Sequence, residues 1–390
     1  MVVANPSATS RLPDGGRFVA LDALRGVAAL GIAVHHINGR GPLFDMLGRL
    51  DLGLAVDFFF VLSGFVIAAS YGARLARGFS IARFMLLRYG RVWPLQAVMV
   101  AAYLALELVY LAWHGGGAVG GRAPFTEARD PAMLPASLLL VQAFVFPLRD
   151  SWNTQAWSIS VEVGLYLAAA GLWRMLGRAA TAPAVVAALA ALVLLDLERT
   201  GGWDQVLRGI GGFGLGMGCW ALWGPWARLR IGRALATLLE AFVVLGAAAI
   251  VAGYTAMLTA DLLFAATVLV FAREGGALSR LCRTAPLVWL GTLSYSLYMV
   301  HGFVFGRIFD GLALVQLQIG AHWVEATVGG IDRLVVPAPV ALAVMAAMLA
   351  AALAAAWLVW RWVEAPAREW SRRRAAAMGV GREERRAPTI

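Results

Sequence analysis

Three ionisable side chains, those of Arg25, His35 and His36, lie in the core of the first apolar stretch, and two of them are spaced so that they can act together. Arg25 and His36 are eleven residues apart. On a helix, that spacing brings them to within about 20° of one face and about 16 Å apart along the axis, whereas His35 points about 80° away. A guanidinium suits phosphate or carboxylate, and an imidazole can transfer a proton near neutral pH. The spacing therefore predicts anion binding at one end of the helix face and proton transfer at the other.

The next apolar stretch, GLAVDFFFVLSGFVI, carries one acidic residue, Asp57. Its carboxylate could orient His36 or pair with an arginine. It could also lie at the membrane surface near a helix N-terminus, where the helix dipole favours negative charge. Similarly, Arg25 could extend to the interface and leave the histidines bonded to neighbouring helices. The sequence leaves these alternatives open.

A third motif, WNTQAWSISVEVGLYL, contains a carboxylate that packing explains poorly. Ser158 and Glu162 are four residues apart and share a helix face. A carboxylate inside a membrane requires a partner such as arginine, histidine or a substrate hydroxyl. We therefore interpret Glu162 as a functional residue.

Two further motifs carry basic or titratable groups. Arg88 and Arg91, in LLRYGRVWP, share one helix face and could bind phosphate groups. Cytoplasmic positive charge beside an aromatic belt would explain them equally well. His301, in LGTLSYSLYMVHGFV, is either a second proton-handling group or a histidine bonded within the bundle, and we favour the second interpretation.

The composition excludes an ordinary soluble protein. Of the 390 residues, 61% are hydrophobic and 14% charged, against about 45–50% and about 25% in soluble domains. All 33 basic residues are arginines. The glycine run at 211–218 follows no strand, so it indicates helix packing and not a phosphate loop. The two cysteines imply no disulfide framework, and we expect neither a metal ion nor a nucleic-acid partner.

The arginines also indicate how the chain crosses the membrane. Eleven apolar stretches are candidate spans, at 18–38, 53–72, 92–113, 134–147, 157–176, 181–197, 205–224, 234–253, 256–272, 285–306 and 337–362. Arginine is enriched on the cytoplasmic side of membranes, and every arginine cluster falls there only if the short, proline-bounded 134–147 stretch does not cross. The sequence predicts an all-α polytopic membrane protein with about ten transmembrane helices and both termini cytoplasmic.

The chain divides into three predicted segments. Residues 1–17 form a cytoplasmic N-terminal segment without the pattern of a cleavable signal, so the first apolar run should remain as a helix. Residues 18–370 form one transmembrane domain. Residues 371–390 form a basic, disordered cytoplasmic tail, which either aids solubility or rests on anionic lipid.

Taken together, the motifs resemble the acyltransferase-3 family of integral membrane acyltransferases. The similarity extends over about 18–370 and has the family's motif order, without a fused SGNH domain. The segments that carry it are LDALRGVAALGIAVHH, GLAVDFFFVLSGFVI, LLRYGRVWP, AWSISVEVGLYL, LGTLSYSLYMVH and VEAP.

The resemblance implies transfer of an acyl group, most often acetyl, from cytoplasmic acyl-CoA to a hydroxyl. His36 would be the general base, with Asp57 or Glu162 orienting the imidazolium or the sugar. The implied catalytic residues are His36, Arg25, Asp57 and Glu162. The implied donor-binding residues are Arg25, Arg88 and Arg91, and the implied substrate-binding residues are Trp157, Ser158, Ser160 and His301.

The expected partners are acyl-CoA as co-substrate, membrane lipid, and a sugar hydroxyl of a polysaccharide, a lipopolysaccharide or a glycosylated small molecule. The expected location is a bacterial inner (plasma) membrane. Two alternatives use the same features. A proton-coupled secondary transporter would also bury charges, although it predicts paired halves that the sequence does not display. A non-catalytic subunit of a polysaccharide export pathway is the other.

Overall fold

The structure is a computed structural model that describes residues 18–114, 123–145, 151–253, 255–326 and 332–383. Over these ranges the chain is a bundle of helices. Their bounds are α1 Val19–His35, α2 Pro42–Gly48, α3 Ala55–Ile67, α4 Ala73–Ala76, α5 Ile81–His114, α6 Leu134–Leu138, α7 Gln142–Val145, α8 Trp157–Leu176, α9 Thr181–Asp196, α10 Asp204–Arg228, α11 Arg233–Val251, α12 Met257–Phe271, α13 Ala277–Cys282, α14 Ala285–Ile319, α15 Ala338–Val359 and α16 Ala365–Glu383.

Six helical segments of the described chain are long and apolar enough to cross a membrane. They are Leu52–Ala76, Ile81–Trp113, Thr154–Asp196, Arg233–Val251, Ala285–Ile319 and Ala338–Met378. The third contains both α8 and α9, which meet at a short 3₁₀ turn. These segments make the chain a multi-pass membrane protein, whereas the count of ten crossings and the cytoplasmic position of both termini stay predictions.

The predicted stretch 134–147 is described only as far as Val145, and this part of it is broken. It forms the two short helices α6 and α7, and between them Leu140 has a positive φ of 57°. A crossing helix requires about 20 residues, and neither piece approaches that length. This break fits the interpretation of the stretch as a segment that does not cross.

Two helices extend well beyond their predicted spans. α5 begins at Ile81 rather than at 92 and continues through Pro94, and α14 ends at Ile319 rather than at 306. α14 stops where Gly320 adopts a left-handed φ of 68°, a common helix terminator. Apolar content therefore underestimates the lengths of both helices, because their ends carry polar residues.

The expectation of a purely α fold requires one correction. Val324–Ala326 and Asp332–Leu334 pair as an antiparallel hairpin between the predicted spans 285–306 and 337–362. The Arg40 amide donates to the Leu334 carbonyl at 2.9 Å, and the Leu334 amide donates to the Asn38 carbonyl at 3.1 Å. The hairpin thus lies against the segment that follows α1.

The basic tail also differs from its prediction. α16 continues as a helix through 371–383, and 384–390 lie outside the described residues, as do 1–17. Ser371 is buried against α5, where a Cβ added at Gly90 would lie 2.8 Å from the Ser371 Cβ. Packing on α5 supplies the tertiary contacts that the composition of the tail does not reveal.

α1 and α14 approach each other until their backbones touch. A Cβ added at Gly26 would lie 2.5 Å from the Gly291 nitrogen, and one added at Gly291 would meet the Asp22 carbonyl. Small residues are common where helices pack within lipid, because close approach increases van der Waals contact. This contact, which we call the α1–α14 seam, sets the register between the two helices.

α3 and α10 form a second close contact. A Cβ added at Gly212 would lie 2.7 Å from the Phe60 Cβ, and one added at Gly64 would meet the Phe213 carbonyl. The interpretation of the 211–218 glycines as packing residues is confirmed.

A buried ion pair joins α3 to α10. Asp57 has no exposed surface and accepts from Arg208 Nε at 3.0 Å and from Arg208 Nη2 at 2.6 Å. Arg208 also donates to the Gly53 carbonyl at 3.3 Å, and its guanidinium lies 5.4 Å from the Trp157 ring. Of the alternatives for Asp57, pairing with an arginine is the one observed.

The α1–α14 seam can be tested with two substitutions in the same helix. Gly291→Ala should destabilise the protein by about 1–3 kcal/mol, because the methyl group overpacks the contact with α1. Gly306→Ala is the matched control, since nothing lies within 4 Å of an added Cβ there. Alanine is about 0.5–1 kcal/mol better than glycine within a helix, so Gly306→Ala should leave thermal unfolding in detergent unchanged or raise its midpoint. Equal midpoints for both variants would contradict the close packing of α1 against α14 at Gly291.

The Asp57–Arg208 pair predicts a strongly non-additive pair of substitutions. Asp57→Asn or Arg208→Gln alone should cost about 3–5 kcal/mol, because each leaves a buried charge without its partner. The double variant should recover much of that loss. The exposed pair Glu369–Arg373 is the control, and its removal should cost at most about 1 kcal/mol. Single variants at Asp57 and Arg208 that melt like the parent would show that the pair contributes nothing.

Candidate active site

A cavity of about 100 Å³ lies between α1, α3, α5, α8 and α14. We call it the inner cavity. Its polar lining comes from widely separated parts of the sequence and consists of Arg25, Ser63, Arg88, Arg91, Ser158, Glu162, Tyr166, Ser294, Tyr295 and Tyr298. All three arginines predicted to bind the donor are therefore brought together with Glu162.

Glu162 is held by a chain of hydrogen bonds. Its Oε1 accepts from Ser63 Oγ and from Tyr166 Oη. Tyr166 Oη in turn accepts from Arg88 Nη2 at 3.0 Å, and the Arg88 guanidinium lies 4.9 Å from the Tyr166 ring centroid. The partner that a membrane carboxylate requires is thus an arginine, reached through a tyrosine that lies one helical turn beyond Glu162.

Arg25 is fixed against α14 by the α1–α14 seam. Its Nε donates to Ser294 Oγ at 2.8 Å and its Nη2 to the Gly291 carbonyl at 3.2 Å, while Nη1 lies 3.2 Å from Asp22 Oδ1. The guanidinium borders the inner cavity and also a second, larger cavity of about 480 Å³ at the N-terminal end of α1. Arg91 borders both cavities as well. We call the larger one the N-terminal cavity. Arg25 and Arg91 stand at the junction between it and the inner cavity.

His36 pairs with a histidine of α14. His301 Nε2 lies 3.3 Å from His36 Nδ1, and the ring centroids are 5.0 Å apart. His36 Nδ1 also lies 2.8 Å from the Ile32 carbonyl, and His301 Nδ1 lies 3.0 Å from the Leu297 carbonyl. The interpretation of His301 as a histidine bonded within the bundle therefore fits the structure, and its partner is His36.

The carbonyl contacts determine which nitrogens carry hydrogen. A carbonyl can only accept, so both Nδ1 atoms are protonated. The single His36 Nδ1 hydrogen then faces two acceptors, the Ile32 carbonyl at 2.8 Å and His301 Nε2 at 3.3 Å. The remaining nitrogen of His36, Nε2, is then the basic one. Across the part of the chain that the structure describes, His36 Nε2 has no hydrogen-bond partner, and the His36 side chain is exposed whereas that of His301 is fully buried. Such a nitrogen can accept a proton from a bound molecule.

Tyr298 lies between the histidine pair and the inner cavity. Its ring centroid is 6.0 Å from that of His301, and the side chain lines the cavity. Its hydroxyl donates to the Gln155 carbonyl at 2.8 Å and lies 2.8 Å from Ser158 Oγ. Ser158 is therefore a cavity residue whose hydroxyl bonds a tyrosine.

Three sequence-predicted residues serve elsewhere. Asp57 is engaged by Arg208 and does not contact His36. Ser160 is buried, and its Oγ accepts from the Ala143 amide at 3.2 Å, which anchors the broken segment between α5 and α8. Trp157 packs on Phe60, with ring centroids 6.0 Å apart, and lies outside the lining of the inner cavity.

Sequence reasoning missed several members of the site. Tyr166 stands four residues after Glu162, and this helical spacing was an available signal. Ser63 lies in an otherwise apolar stretch and donates to Glu162. Arg208 was visible only as a charge in a glycine-rich apolar helix, and its pairing with Asp57 spans 151 positions, which no local pattern reveals.

The chain is similar to proteins from Rhizobium radiobacter and Streptomyces mycarofaciens. A stretch of 103 residues is 41% identical to "Protein 2 in picA locus" of Rhizobium radiobacter, covering 24% of this chain and 50% of that relative. The chain thus matches about half the length of that protein. Over 349 residues it is 27% identical to "Acyltransferase MdmB" of Streptomyces mycarofaciens, covering 81% of this chain and 86% of the relative. No solved structure matches the chain.

The decisive comparison is with a family model. The model described as an acyltransferase domain matches residues 18–360, from the first residue before α1 to the end of α15. That range contains the inner cavity, the histidine pair and both helix seams. The chain therefore belongs to the acyltransferase-3 family of membrane acyltransferases.

Proposed function

We propose that the protein transfers an acyl group, most simply acetyl, from acyl-CoA to a sugar hydroxyl. The observation that carries the proposal is the arrangement along the α1–α14 seam. Arg25 stands at the junction of two cavities, and the His36–His301 pair lies further along the same two helices. An anion-binding group and a base are the two parts that such a transfer requires.

The arginines favour an anionic acyl donor. Guanidinium groups bind phosphate through paired, charge-assisted hydrogen bonds. Among the described residues, the Arg91 side chain has neither an ion pair nor a hydrogen bond, so its donors are available to a ligand. The inner cavity, at about 100 Å³, is closer in size to a small acyl thioester group than to a sugar ring. We therefore assign the inner cavity to the thioester end of the donor.

The transfer step needs one base. His36 Nε2 removes the proton of the acceptor hydroxyl as that oxygen attacks the thioester carbonyl. The new C–O bond forms, the C–S bond breaks, and the CoA thiolate leaves with the electron pair. The imidazolium then returns its proton to the thiolate, so that an ester and CoA–SH result and the enzyme is unchanged.

His301 acts as a positioning residue in this step. A base is more effective when a hydrogen bond fixes its ring and stabilises its cationic form, a role that a carboxylate performs in many enzymes. Here His301 Nε2 shares the His36 Nδ1 hydrogen with the Ile32 carbonyl, so a neutral imidazole takes the position that we expected Asp57 or Glu162 to fill. Glu162, in the inner cavity, is then left to bind substrate or product.

The acceptor is proposed to be a sugar of a polysaccharide, a lipopolysaccharide or a glycosylated small molecule, at a bacterial inner membrane. The relative from Streptomyces mycarofaciens is named an acyltransferase, which supports the reaction class. A transporter or a non-catalytic export subunit would use the same buried charges without consuming donor. Release of free CoA from acetyl-CoA by the purified protein separates the enzyme from both.

The role of His36 is tested with its neighbour as control. His36→Ala should lower the transfer rate by about 10²–10⁴-fold, the usual contribution of a general base. His35→Ala should keep most of the activity, because the exposed His35 ring packs edge-on against that of His36, with centroids 5.4 Å apart, and makes no hydrogen bond to it within the described residues. Acyl transfer is measured by mass spectrometry of the acceptor, together with CoA release. A correctly folded His36→Ala protein with parental rates would rule out this mechanism.

The role of His301 is tested with two substitutions of different chemistry. Leucine cannot accept a hydrogen bond from His36, whereas the side-chain oxygen of glutamine can. We expect His301→Leu to lower kcat by about tenfold or more with little change in the KM of the donor, and His301→Gln to restore part of that loss. If both variants fold like the parent and lose activity equally, His301 contributes only packing.

A further inference from the structure

The N-terminal cavity carries more positive charge than is supplied by the two arginines at its junction with the inner cavity. Besides Arg25 and Arg91, its lining includes Arg368 and Arg372, which α16 contributes, and its volume is about 480 Å³. Arg368 and Arg372 are four residues apart and so share one face of α16. The last helix therefore builds one wall of this cavity.

Two carboxylates, Asp22 and Glu369, line the same cavity, and each lies beside an arginine. Asp22 lies 3.2 Å from Arg25. Glu369 accepts from Arg373 at 2.8 Å, and Arg373 is not part of the cavity lining. The acidic residues therefore leave positive charge in excess.

The arginines of α16 are close to those of the bundle. Arg368 lies within electrostatic range of Arg25, Arg91 and Arg372, and its nearest acid is Glu364, at 3.6 Å. In the described ranges, Arg91 and Arg372 have no ion pair or side-chain hydrogen bond. Like charges in one concave space repel each other and raise the local affinity for a polyanion.

We infer that the N-terminal cavity binds the phosphate groups in the nucleotide part of the acyl donor, with Arg368 and Arg372 as binding residues. This inference rests on the proposed function, because it takes acyl-CoA as the donor. CoA carries a 3′-phosphate and a 5′-diphosphate at the end remote from its thioester. Phosphates held in this cavity would let the pantetheine arm pass Arg25 and Arg91 into the inner cavity, where both arginines also stand.

The test compares two donors that differ only in the phosphorylated nucleotide. For Arg372→Gln, we expect the KM of acetyl-CoA to rise about tenfold, which corresponds to about 1.4 kcal/mol. The KM of S-acetylpantetheine, which has no phosphate, should stay at the parental value. An equal rise for both donors would mean that the substitution disturbs the helix, and would overturn the inference.

The control substitution lies on the same helix. Arg374 is exposed like Arg372 but does not line the cavity, and its guanidinium lies 5.8 Å from the Trp370 ring. Arg374→Gln removes the same charge from α16, so it should leave both KM values unchanged. If it raises the KM of acetyl-CoA as much as Arg372→Gln does, the effect is one of general surface charge and the inference is wrong.

A binding measurement separates this inference from the proposed function. Adenosine 3′,5′-bisphosphate is titrated into the purified full-length protein in detergent, where no acyl transfer is involved. Weaker binding by Arg372→Gln, with Arg374→Gln unchanged, would support the phosphate site even if the protein transferred no acyl group. Parental binding by Arg372→Gln would contradict it even if transfer is observed.

Anionic lipid is the other source of phosphate at this position. The titration is therefore repeated in bilayer discs of phosphatidylcholine with and without phosphatidylglycerol. We expect Arg372→Gln to weaken bisphosphate binding in both. If the substitution changes only the association with phosphatidylglycerol, the arginines bind lipid headgroups and the assignment to the donor fails.

Discussion

The arrangement of the site depends on one contact, the approach of α1 to α14 at Gly26 and Gly291. Because neither residue has a side chain, the two backbones touch, and the register between the helices cannot slide without a clash. That register places Arg25 opposite Ser294 and His36 opposite His301. A single interface thus sets both the anion-binding end and the basic end of the proposed site. A displacement of the helices at either end would therefore also move the residues at the other.

Two further charged groups of the bundle are arranged as the cost of an isolated charge inside a membrane requires. Asp57 is neutralised by Arg208, and Glu162 by hydrogen bonds that lead to Arg88. These pairs differ in their surroundings. The first is buried between two packed helices, while the second opens onto a cavity, and only the second remains available to a substrate.

Much of this arrangement was accessible from the sequence where local periodicity determines it. The eleven-residue spacing placed Arg25 and His36 on one face, and both do face α14. Helical spacing also brought Ser158 and Glu162 to one cavity. What local pattern could not supply was the identity of distant partners. Whether Asp57 pairs with an arginine or orients His36 depended on Arg208, which lies far along the chain. The hairpin and the helical tail were missed for the same reason, since contacts with the segment after α1 and with α5 stabilise them.

The first and last described helices meet at the same place. Phe18 and Asp22 at the start of α1, and Arg368 and Arg372 in α16, line one cavity. During synthesis on the ribosome, the residues of that wall are separated by almost the whole length of the chain. The cavity therefore cannot be completed before α16 has been synthesised, so a polypeptide that terminates before α16 would lack this wall however well its earlier helices had inserted and packed.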